Sequence, residues 1–260
     1  MLYFWKTKDF LFFYKIKLSL RNFKYFINQT YKLIKIRTSL NLVYRFILNY
    51  FRIYEKKTEF INRIYKISNF SFPDWFSIKI PILIGIFDKH KFPDKLNILE
   101  IGSFEGRSSL FFINYFKDQL LIDDINVTCV DTWEGSKEIF HENINFNLVE
   151  NNFDNNLIKF SKIIDKNKTT SENFFLKKNN KSFDLILIDG SHEFKDVLSD
   201  AENSLQVINK NGIIIFDDFN WFHYKDEKLN PAHAINTFLK KNFDQFEILF
   251  VGMILILRKI

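Results

Sequence analysis

The sequence predicts an α/β domain with a doubly wound, seven-stranded sheet whose last strand pair is antiparallel, preceded by a helical N-terminal extension. From residue 97 onwards, short apolar runs alternate with amphipathic stretches, the pattern of a largely parallel sheet with right-handed crossovers. Only Gly252 separates the last two apolar runs, so these strands must form a hairpin. Residues 1–67 contain neither Gly nor Pro and carry apolar residues at helical spacing, which predicts the extension.

The predicted elements follow in order along the chain. We expect seven strands, at Asn97–Ile101, Asn126–Asp131, Asn167–Ser171, Asp184–Asp189, Gly212–Phe216, Phe246–Val251 and Met253–Leu257. We expect helices between them, at Arg107–Phe116, Glu150–Ile164, Phe194–Ile208 and Pro231–Asn242. A loop and short helix from Phe70 to Phe92 would lie over a ligand cleft. These patterns divide the chain into an extension, 1–69, and a domain, 70–260.

Charge is distributed unevenly around the net value of +6. Residues 1–67 carry 15 Lys and Arg against three acidic residues, whereas the rest of the chain is net acidic. This basic, aromatic arm predicts peripheral contact with an anionic membrane surface, or with the phosphates and bases of nucleic acid. A helical cap or a homo-oligomerisation arm with a solvated basic face is the alternative.

Composition also limits the setting of the protein. Charged residues interrupt every N-terminal apolar run well short of a membrane span, so we expect no integral membrane segment. The single Cys129 lies within a predicted strand, which argues against a disulfide framework or a cysteine-based metal site. A reducing, cytoplasmic setting is therefore expected, with peripheral membrane contact through the arm.

A glycine-bounded loop follows the first predicted strand. Gly102 and Gly106 let the backbone turn sharply and approach a ligand closely. Glu100 lies at the carboxyl end of the strand, where open α/β sheets bind their ligands. The spacing is Gly-x-x-x-Gly, so the dinucleotide fingerprint is not met. An ordinary strand-to-helix turn is the alternative.

The second predicted strand ends in CVDTWEG. Asp131 would lie beside the end of the first strand, where a carboxylate can accept hydrogen bonds from both hydroxyls of a ribose. A helix cap is its alternative role. Trp133 either offers a flat face to an adenine or a substrate, or simply packs.

Acidic residues also follow the fourth and fifth predicted strands. Asp189, Asp217 and Asp218 would converge without an obvious basic partner and repel one another. A divalent cation would relieve that repulsion, and oxygen ligands favour Mg²⁺ over Mn²⁺ or Ca²⁺. Turn capping is the alternative for Asp217 and Asp218. His192 could act as a general base or bind outside the metal's ligands, or be a surface or capping residue.

These motifs, in this order, resemble those of class I S-adenosylmethionine-dependent methyltransferases, and more narrowly the methyltransferase domain 24 family. The resemblance covers about Phe70 to Ile260. It rests on the stretches EIGSFEGRSS, CVDTWEGS, FDLILIDGSH, NGIIIFDDF and PAHAINTFL. It implies an enzyme with a Rossmann-like fold.

The resemblance also implies roles for individual residues. S-adenosyl-L-methionine would be bound through its methionine and ribose by Glu100, Gly102, Ser103 and Gly106, through the ribose hydroxyls by Asp131, and near the adenine by Ser171. Compared with catechol- and macrocin-type O-methyltransferases, Asp189, Asp217 and Asp218 fall at the Mg²⁺ site. His192 takes the place of the catechol-type lysine, whereas the macrocin-type aspartate is replaced by Ser191. The base is therefore either His192 or a metal-bound hydroxide.

The expected reaction is metal-assisted O-methylation of a hydroxyl on a sugar, glycan or other small molecule. A nucleic-acid methyltransferase that uses the basic arm is one alternative, although the Asn-Pro-Pro-aromatic motif of amino-methylating enzymes is missing. An inactive, cofactor-binding partner subunit is another. The intact acidic residues argue against that loss of activity.

Overall fold

A computed structural model describes residues 60–66, 68–136, 141–177, 181–221 and 223–260. The helices predicted for the first 59 residues lie outside the described residues. Every helix within the described ranges is too short or too polar to cross a membrane.

A seven-stranded sheet forms the centre of the described part. Its strands are β1 (Lys95–Ile101), β2 (Asp124–Asp131), β3 (Ile164–Lys168), β4 (Phe183–Ile188), β5 (Ile208–Phe216), β6 (Phe246–Val251) and β7 (Leu255–Lys259). Their spatial order is β3-β2-β1-β4-β5-β7-β6. The first five strands are parallel, whereas β7 is antiparallel to both β5 and β6. The predicted fold class is confirmed.

Helices cover both faces of this sheet. They are α1 (Ile80–Phe87), α2 (Arg107–Leu120), α3 (Phe146–Leu157), α4 (Ser171–Leu176), α5 (Phe194–Val207) and α6 (Pro231–Asn242). Successive strand residues point to opposite faces. Ile98 therefore packs in the cluster with α1, α2 and α3, and Leu99 in the cluster with α5 and α6. The central strands β1 and β4 are buried on both sides, which explains their nearly continuous apolar sequences.

Several predicted boundaries were wrong around β3. Asn145 caps α3, its side chain accepting a hydrogen bond from the backbone of Leu148 at 3.3 Å, so this helix begins earlier than Glu150. It ends at Leu157, and Ile164 already belongs to β3. Ser171 is not the end of a strand, because Thr170 caps α4 by accepting a hydrogen bond from the backbone of Asn173 at 3.2 Å.

The other elements agree with the prediction to within a few residues, with two local differences. Met253 lies in the turn before β7 rather than in the strand, and Ile208 begins β5 rather than ending α5. Both differences fall at element ends, where sequence patterns locate boundaries least well.

Residues 60–66 form helical turns that pack on the domain. Phe60, Ile64 and Tyr65 are buried in the same core cluster as α2. The ring of Phe60 meets that of Tyr115 edge-on at 6.3 Å. The packed domain therefore includes residues upstream of the predicted boundary at residue 70.

Candidate active site

The candidate site lies along the carboxyl edge of the parallel strands. Ile101, at the end of β1, pairs with Val130 of β2 and with Ile188 of β4. Ile188 in turn pairs with Phe216, at the end of β5. The residues that follow these positions emerge together, so Asp131, Asp189 and Asp217 share one rim, as the sequence predicted.

The loop from Gly102 to Gly106 adopts a backbone that requires both glycines. Gly102 has φ +86° and Gly106 has φ +78°. A Cβ at Gly102 would lie 2.0 Å from the carbonyl oxygen of Asp189, and one at Gly106 would lie 3.0 Å from Leu157 Cδ1. On the side where a Cβ would project, both glycines therefore lie close to other parts of the protein.

Asp131 holds this loop from the end of β2. Its Oδ2 accepts hydrogen bonds from the backbone N–H groups of Ser103 and Phe104, both at 2.9 Å, and its Oδ1 accepts one from Trp133 at 2.7 Å. Burial raises the pKa of Asp131, and these hydrogen bonds oppose that shift. A carboxylate has about four acceptor positions, and backbone N–H groups, that of Thr132 among them, already occupy most of these. Binding of a cofactor by Gly102, Ser103, Gly106 and Asp131 stays a prediction.

Glu100 does not reach the rim. Its side chain is fully buried, and its two oxygens accept hydrogen bonds from the hydroxyls of Ser108 and Ser109 on α2. Burial raises the pKa of Glu100 to about 7, although the serine hydroxyls oppose that shift. This carboxylate is enclosed between β1 and α2, and direct contact with a cofactor stays a prediction. Its role is to fix the start of α2 behind the loop.

Trp133 packs rather than presenting a free face. Its side chain is buried, its indole Nε1 donates to the carbonyl oxygen of Phe104 at 2.9 Å, and its ring lies 4.9 Å from that of Phe153. The ammonium of Lys166 lies 4.6 Å from the ring centroid. Of the two predicted roles, the structure supports packing. Contact between this ring and an adenine stays a prediction.

Ser171 is the first residue of α4, just beyond the end of β3. Its side chain is half-buried. The backbone N–H of Thr169, in the preceding loop, donates to the carbonyl oxygen of Asp131 at 2.9 Å. This loop therefore borders the rim, and contact between Ser171 and an adenine stays a prediction.

Three carboxylates converge at the ends of β4 and β5. Asp189, Asp217 and Asp218 each offer an oxygen, and these oxygens lie within 4.8 Å of one another. We call this group the carboxylate triad. It borders a small open cleft that is also lined by His192 and Pro231. The predicted convergence is thus present.

The donor set fits a hard dication. Oxygens bound to one ion 2.0–2.6 Å away lie at most about 4–5 Å apart, which matches the spread of the triad. Oδ1 of Asp217 is buried and has no hydrogen-bond partner within the described part of the chain. Burial and the neighbouring carboxylate of Asp217 raise the pKa of Asp189 well above its usual range. A bound cation would relieve each of these costs.

Lys79 belongs to this site but was not predicted from the sequence. Its Nζ forms a salt bridge with Oδ2 of Asp217, and the two side chains are 10% and 2% exposed. The triad therefore has a basic partner, contrary to the prediction. Burial alone would lower the pKa of Lys79, but the carboxylates, Asp217 foremost, raise it. Lys79 lies 138 residues before Asp217, so no local pattern could have paired them.

His192 lies beside the triad on the cavity wall. Its Nε2 is 2.6 Å from Oδ2 of Asp218. Its ring stacks on Trp221, with centroids 4.7 Å apart and planes 11° from parallel. These two contacts fix the orientation of the imidazole. Trp221 was not foreseen, since it follows β5 in an irregular stretch without a sequence signal.

Glu105 anchors the segment that carries Lys79 towards this rim. Its buried carboxylate accepts hydrogen bonds from the backbone N–H groups of Ser71, at 2.8 Å, and Phe72, at 3.3 Å. Asn152 of α3 donates to the same carboxylate at 2.7 Å. Arg107 adds an ion pair with Asp74 at 3.3 Å. The chain before α1 is therefore fastened to the glycine loop, as expected for a segment that borders the cleft.

The fold and this rim together resemble those of class I methyltransferase domains, with a glycine loop after β1, an acidic residue at the end of β2 and an antiparallel last strand pair. Residues 99–219 match the family Methyltransf_24, described as a methyltransferase domain. This match covers somewhat less than half of the chain and agrees with the resemblance found in the sequence.

One relative and two solved structures illustrate the likeness. An uncharacterized protein of Acanthamoeba polyphaga mimivirus is 27% identical over 144 residues, which cover 55% of this chain and 60% of that protein. The match thus spans less than two thirds of that relative. A Staphylococcus aureus protein, provisionally described as a caffeoyl-CoA O-methyltransferase, is 17% identical with a TM-score of 0.50, over 85% of this chain and 99% of that one.

The second structure has a different described acceptor. A Clostridium thermocellum protein, provisionally described as an rRNA methylase, is 10% identical with a TM-score of 0.50, over 74% of this chain and all (100%) of that one. At such identities the two structures show the fold alone. Because one fold serves both kinds of acceptor, the acceptor of this chain must be argued from its site.

Proposed function

We propose that this protein is an S-adenosylmethionine-dependent O-methyltransferase that acts on a hydroxyl of a sugar, glycan or other small molecule with help from a divalent cation, Mg²⁺ foremost. The observation that carries this proposal is the adjacency of two groups on one rim. The loop held by Asp131 packs directly against Asp189, the first residue of the carboxylate triad. A methyl donor and a hydroxyl acceptor bound at these neighbouring places would meet.

The donor side centres on Asp131. When bound, S-adenosyl-L-methionine supplies an activated methyl group and its own leaving group. The protein then has to bind the donor and hold it in the orientation that the reaction needs. A carboxylate at the end of the second strand can accept hydrogen bonds from ribose hydroxyls. We assign this role to Asp131, which lies against the loop from Gly102 to Gly106.

The acceptor side centres on the triad and His192. Asp189, Asp217 and Asp218 would hold a divalent ion, whose Lewis acidity lowers the pKa of a nearby hydroxyl. Asp218 is an acceptor when ionised, so His192 donates through Nε2 and Nδ1 is the basic nitrogen of its ring. In this proposal His192 receives the proton of the acceptor hydroxyl.

Methyl transfer from radiolabelled S-adenosylmethionine tests this function. Nuclease-treated small-molecule and glycan fractions of a cell extract would serve as acceptors, with added Mg²⁺ or with EDTA. We expect label in a base-stable ether that depends on the metal. Label found only in intact nucleic acid would support the alternative acceptor and contradict the proposal. The variant His192→Gln, which keeps all three carboxylates of the triad, is the control.

We further propose that the basic arm, residues 1–67, brings the protein to an anionic membrane surface. Its 15 Lys and Arg against three acidic residues support this proposal, because polybasic segments are attracted to anionic lipids. Flotation of the full chain with liposomes containing phosphatidylserine tests it. Binding that is equal on neutral and anionic liposomes would contradict it.

A further inference from the structure

The ammonium group of Lys79 lies beside the carboxylate triad. It forms its salt bridge with Asp217 and also interacts electrostatically with Asp189 and Asp218. Three carboxylates against one ammonium leave a formal excess of two negative charges at the site. The protein thus supplies part of the positive charge that the triad needs.

We propose that Lys79 tunes the carboxylate triad for a divalent cation, stabilising the triad without metal and lowering its affinity when metal binds. This inference rests on the metal site of the proposed function. An ammonium a few ångströms from a dication repels it, and burial strengthens that repulsion by reducing screening. The remaining formal charge of −2 would be neutralised by a divalent ion. A trivalent ion would leave the site with a net positive charge.

The two oxygens of Asp217 allow both cations to be present. Lys79 occupies Oδ2, whereas Oδ1 is buried without a hydrogen-bond partner in the described residues. A metal can therefore approach Oδ1 while the salt bridge persists. The ammonium then acts as a fixed neighbour of the ion.

The backbone around Lys79 keeps its side chain at the site. Asp74 Oδ1 accepts hydrogen bonds from the backbone N–H groups of Phe76, at 3.1 Å, and Ser77, at 2.8 Å. The N–H of Lys79 itself donates to the carbonyl oxygen of Phe76 at 2.9 Å. The next residue, Ile80, is fully buried. Since the main chain is fixed, the influence of Lys79 on the triad is a permanent property of the fold.

The test is a titration of the full-length protein with Mn²⁺, followed by the electron paramagnetic resonance of the free ion and performed without cofactor. We expect Lys79→Met to bind Mn²⁺ at least ~10-fold more tightly than the wild type, because a repelling charge is removed. Lys79→Arg keeps the charge and should stay near the wild-type affinity. Lys241→Met, which removes an exposed lysine paired with Glu202 at 3.3 Å, is the matched control.

A second titration with Tb³⁺ distinguishes charge from structural loosening. The loss of one positive charge favours a trivalent ion more than a divalent ion, so the gain in affinity on Lys79→Met should be larger for Tb³⁺ than for Mn²⁺. A variant with a merely disordered site would lose affinity for both. If Lys79→Met does not fold, Lys79→Gln, which retains polarity without charge, replaces it.

Each outcome has a distinct meaning. Tighter binding by the neutral variants, with the larger gain for Tb³⁺, supports the tuning role. Equal or weaker binding by the neutral variants overturns that role and leaves the metal site intact. If neither the wild type nor a variant binds Mn²⁺, both the tuning role and metal assistance are wrong, whereas the methyl-transfer assay still judges the methyltransferase itself.

Discussion

The backbone of Gly102 lies directly against the backbone carbonyl of Asp189, so closely that a Cβ at Gly102 would come within 2.0 Å of that oxygen. Gly102 begins the loop after β1, and Asp189 follows β4, the neighbouring strand. The N–H of Asp189 also donates to the carbonyl oxygen of Ile101 at 2.8 Å. The proposed donor and acceptor sides are therefore parts of one rigid junction.

Gly102→Ala should disrupt this junction. The new Cβ would collide with backbone atoms that cannot rotate away, and φ +86° is unfavourable for alanine. We expect a loss of at least about 2 kcal/mol in the free energy of unfolding, measured by urea denaturation. Gly190→Ala is the matched control, because a Cβ there would lie 3.3 Å from Ile101 Cγ2 and 3.9 Å from the carbonyl oxygen of Ile101, without a severe clash. Similar losses for both variants would contradict the prediction.

Glu105→Gln should weaken the attachment of the segment before α1. The amide would turn an N–H group towards donors that now share a buried carboxylate, among them Ser71 and Asn152. We expect destabilisation of roughly 1.5–3 kcal/mol, since hydrogen bonds to charged groups are involved. Differential scanning fluorimetry and urea denaturation measure it. A change no larger than that of the exposed Glu172→Gln would show that the attachment is unimportant.

Glu100 should make stability depend on pH. Its pKa is raised from 4.5 to about 7 by burial, so the folded state binds the proton more tightly than the unfolded state. The contribution of this group to the free energy of unfolding is fully present below about pH 4.5 and is lost as the pH rises to about 7. We expect Glu100→Gln to flatten this decline by an amount on the order of 1–3 kcal/mol.

Asp200 contributes with the same sign, because burial also raises its pKa to about 7. Unfolding curves of Asp200→Asn at a series of pH values should therefore flatten in the same direction as those of Glu100→Gln. Unchanged pH profiles in both variants would mean that these carboxylates are hydrated in the folded protein.

The variant His192→Gln should slow methyl transfer without changing cofactor binding. The variant lacks the basic ring nitrogen, and we expect the turnover number to fall by roughly 10²–10⁴-fold. The affinity for S-adenosylhomocysteine should stay unchanged, because His192 borders the acceptor side. Single-turnover transfer rates and calorimetry measure the two quantities. Full turnover in the variant would remove His192 from the mechanism.

The position of the rim could be predicted because it follows from local sequence patterns. Apolar runs placed the strands, and parallel strands bring their carboxyl ends together, so Asp131, Asp189 and Asp217 could be predicted side by side. The final hairpin could also be predicted locally, because only Gly252 separates its two strands. The edge strand β3 was harder to place, because its residues are polar and only partly buried, without the alternation of a half-buried strand.

Contacts between distant parts of the chain were beyond the sequence. Lys79 meets Asp217 only because the segment before α1 crosses the end of the sheet. Trp133 is enclosed by Phe153 of α3 and Lys166 of β3, which no local pattern indicates. Such packing decides which predicted residues face a ligand and which support others.

Isothermal titration of the full chain with S-adenosylhomocysteine tests the central claim most directly. We predict one binding site per chain, with affinity reduced at least ~10-fold in Asp131→Ala, which loses the carboxylate proposed for the ribose hydroxyls. Asp165→Ala, which removes an exposed carboxylate paired with Lys181 at 2.6 Å, should bind like the wild type. No binding by the wild type at millimolar ligand, or equal binding by Asp131→Ala, would contradict the account.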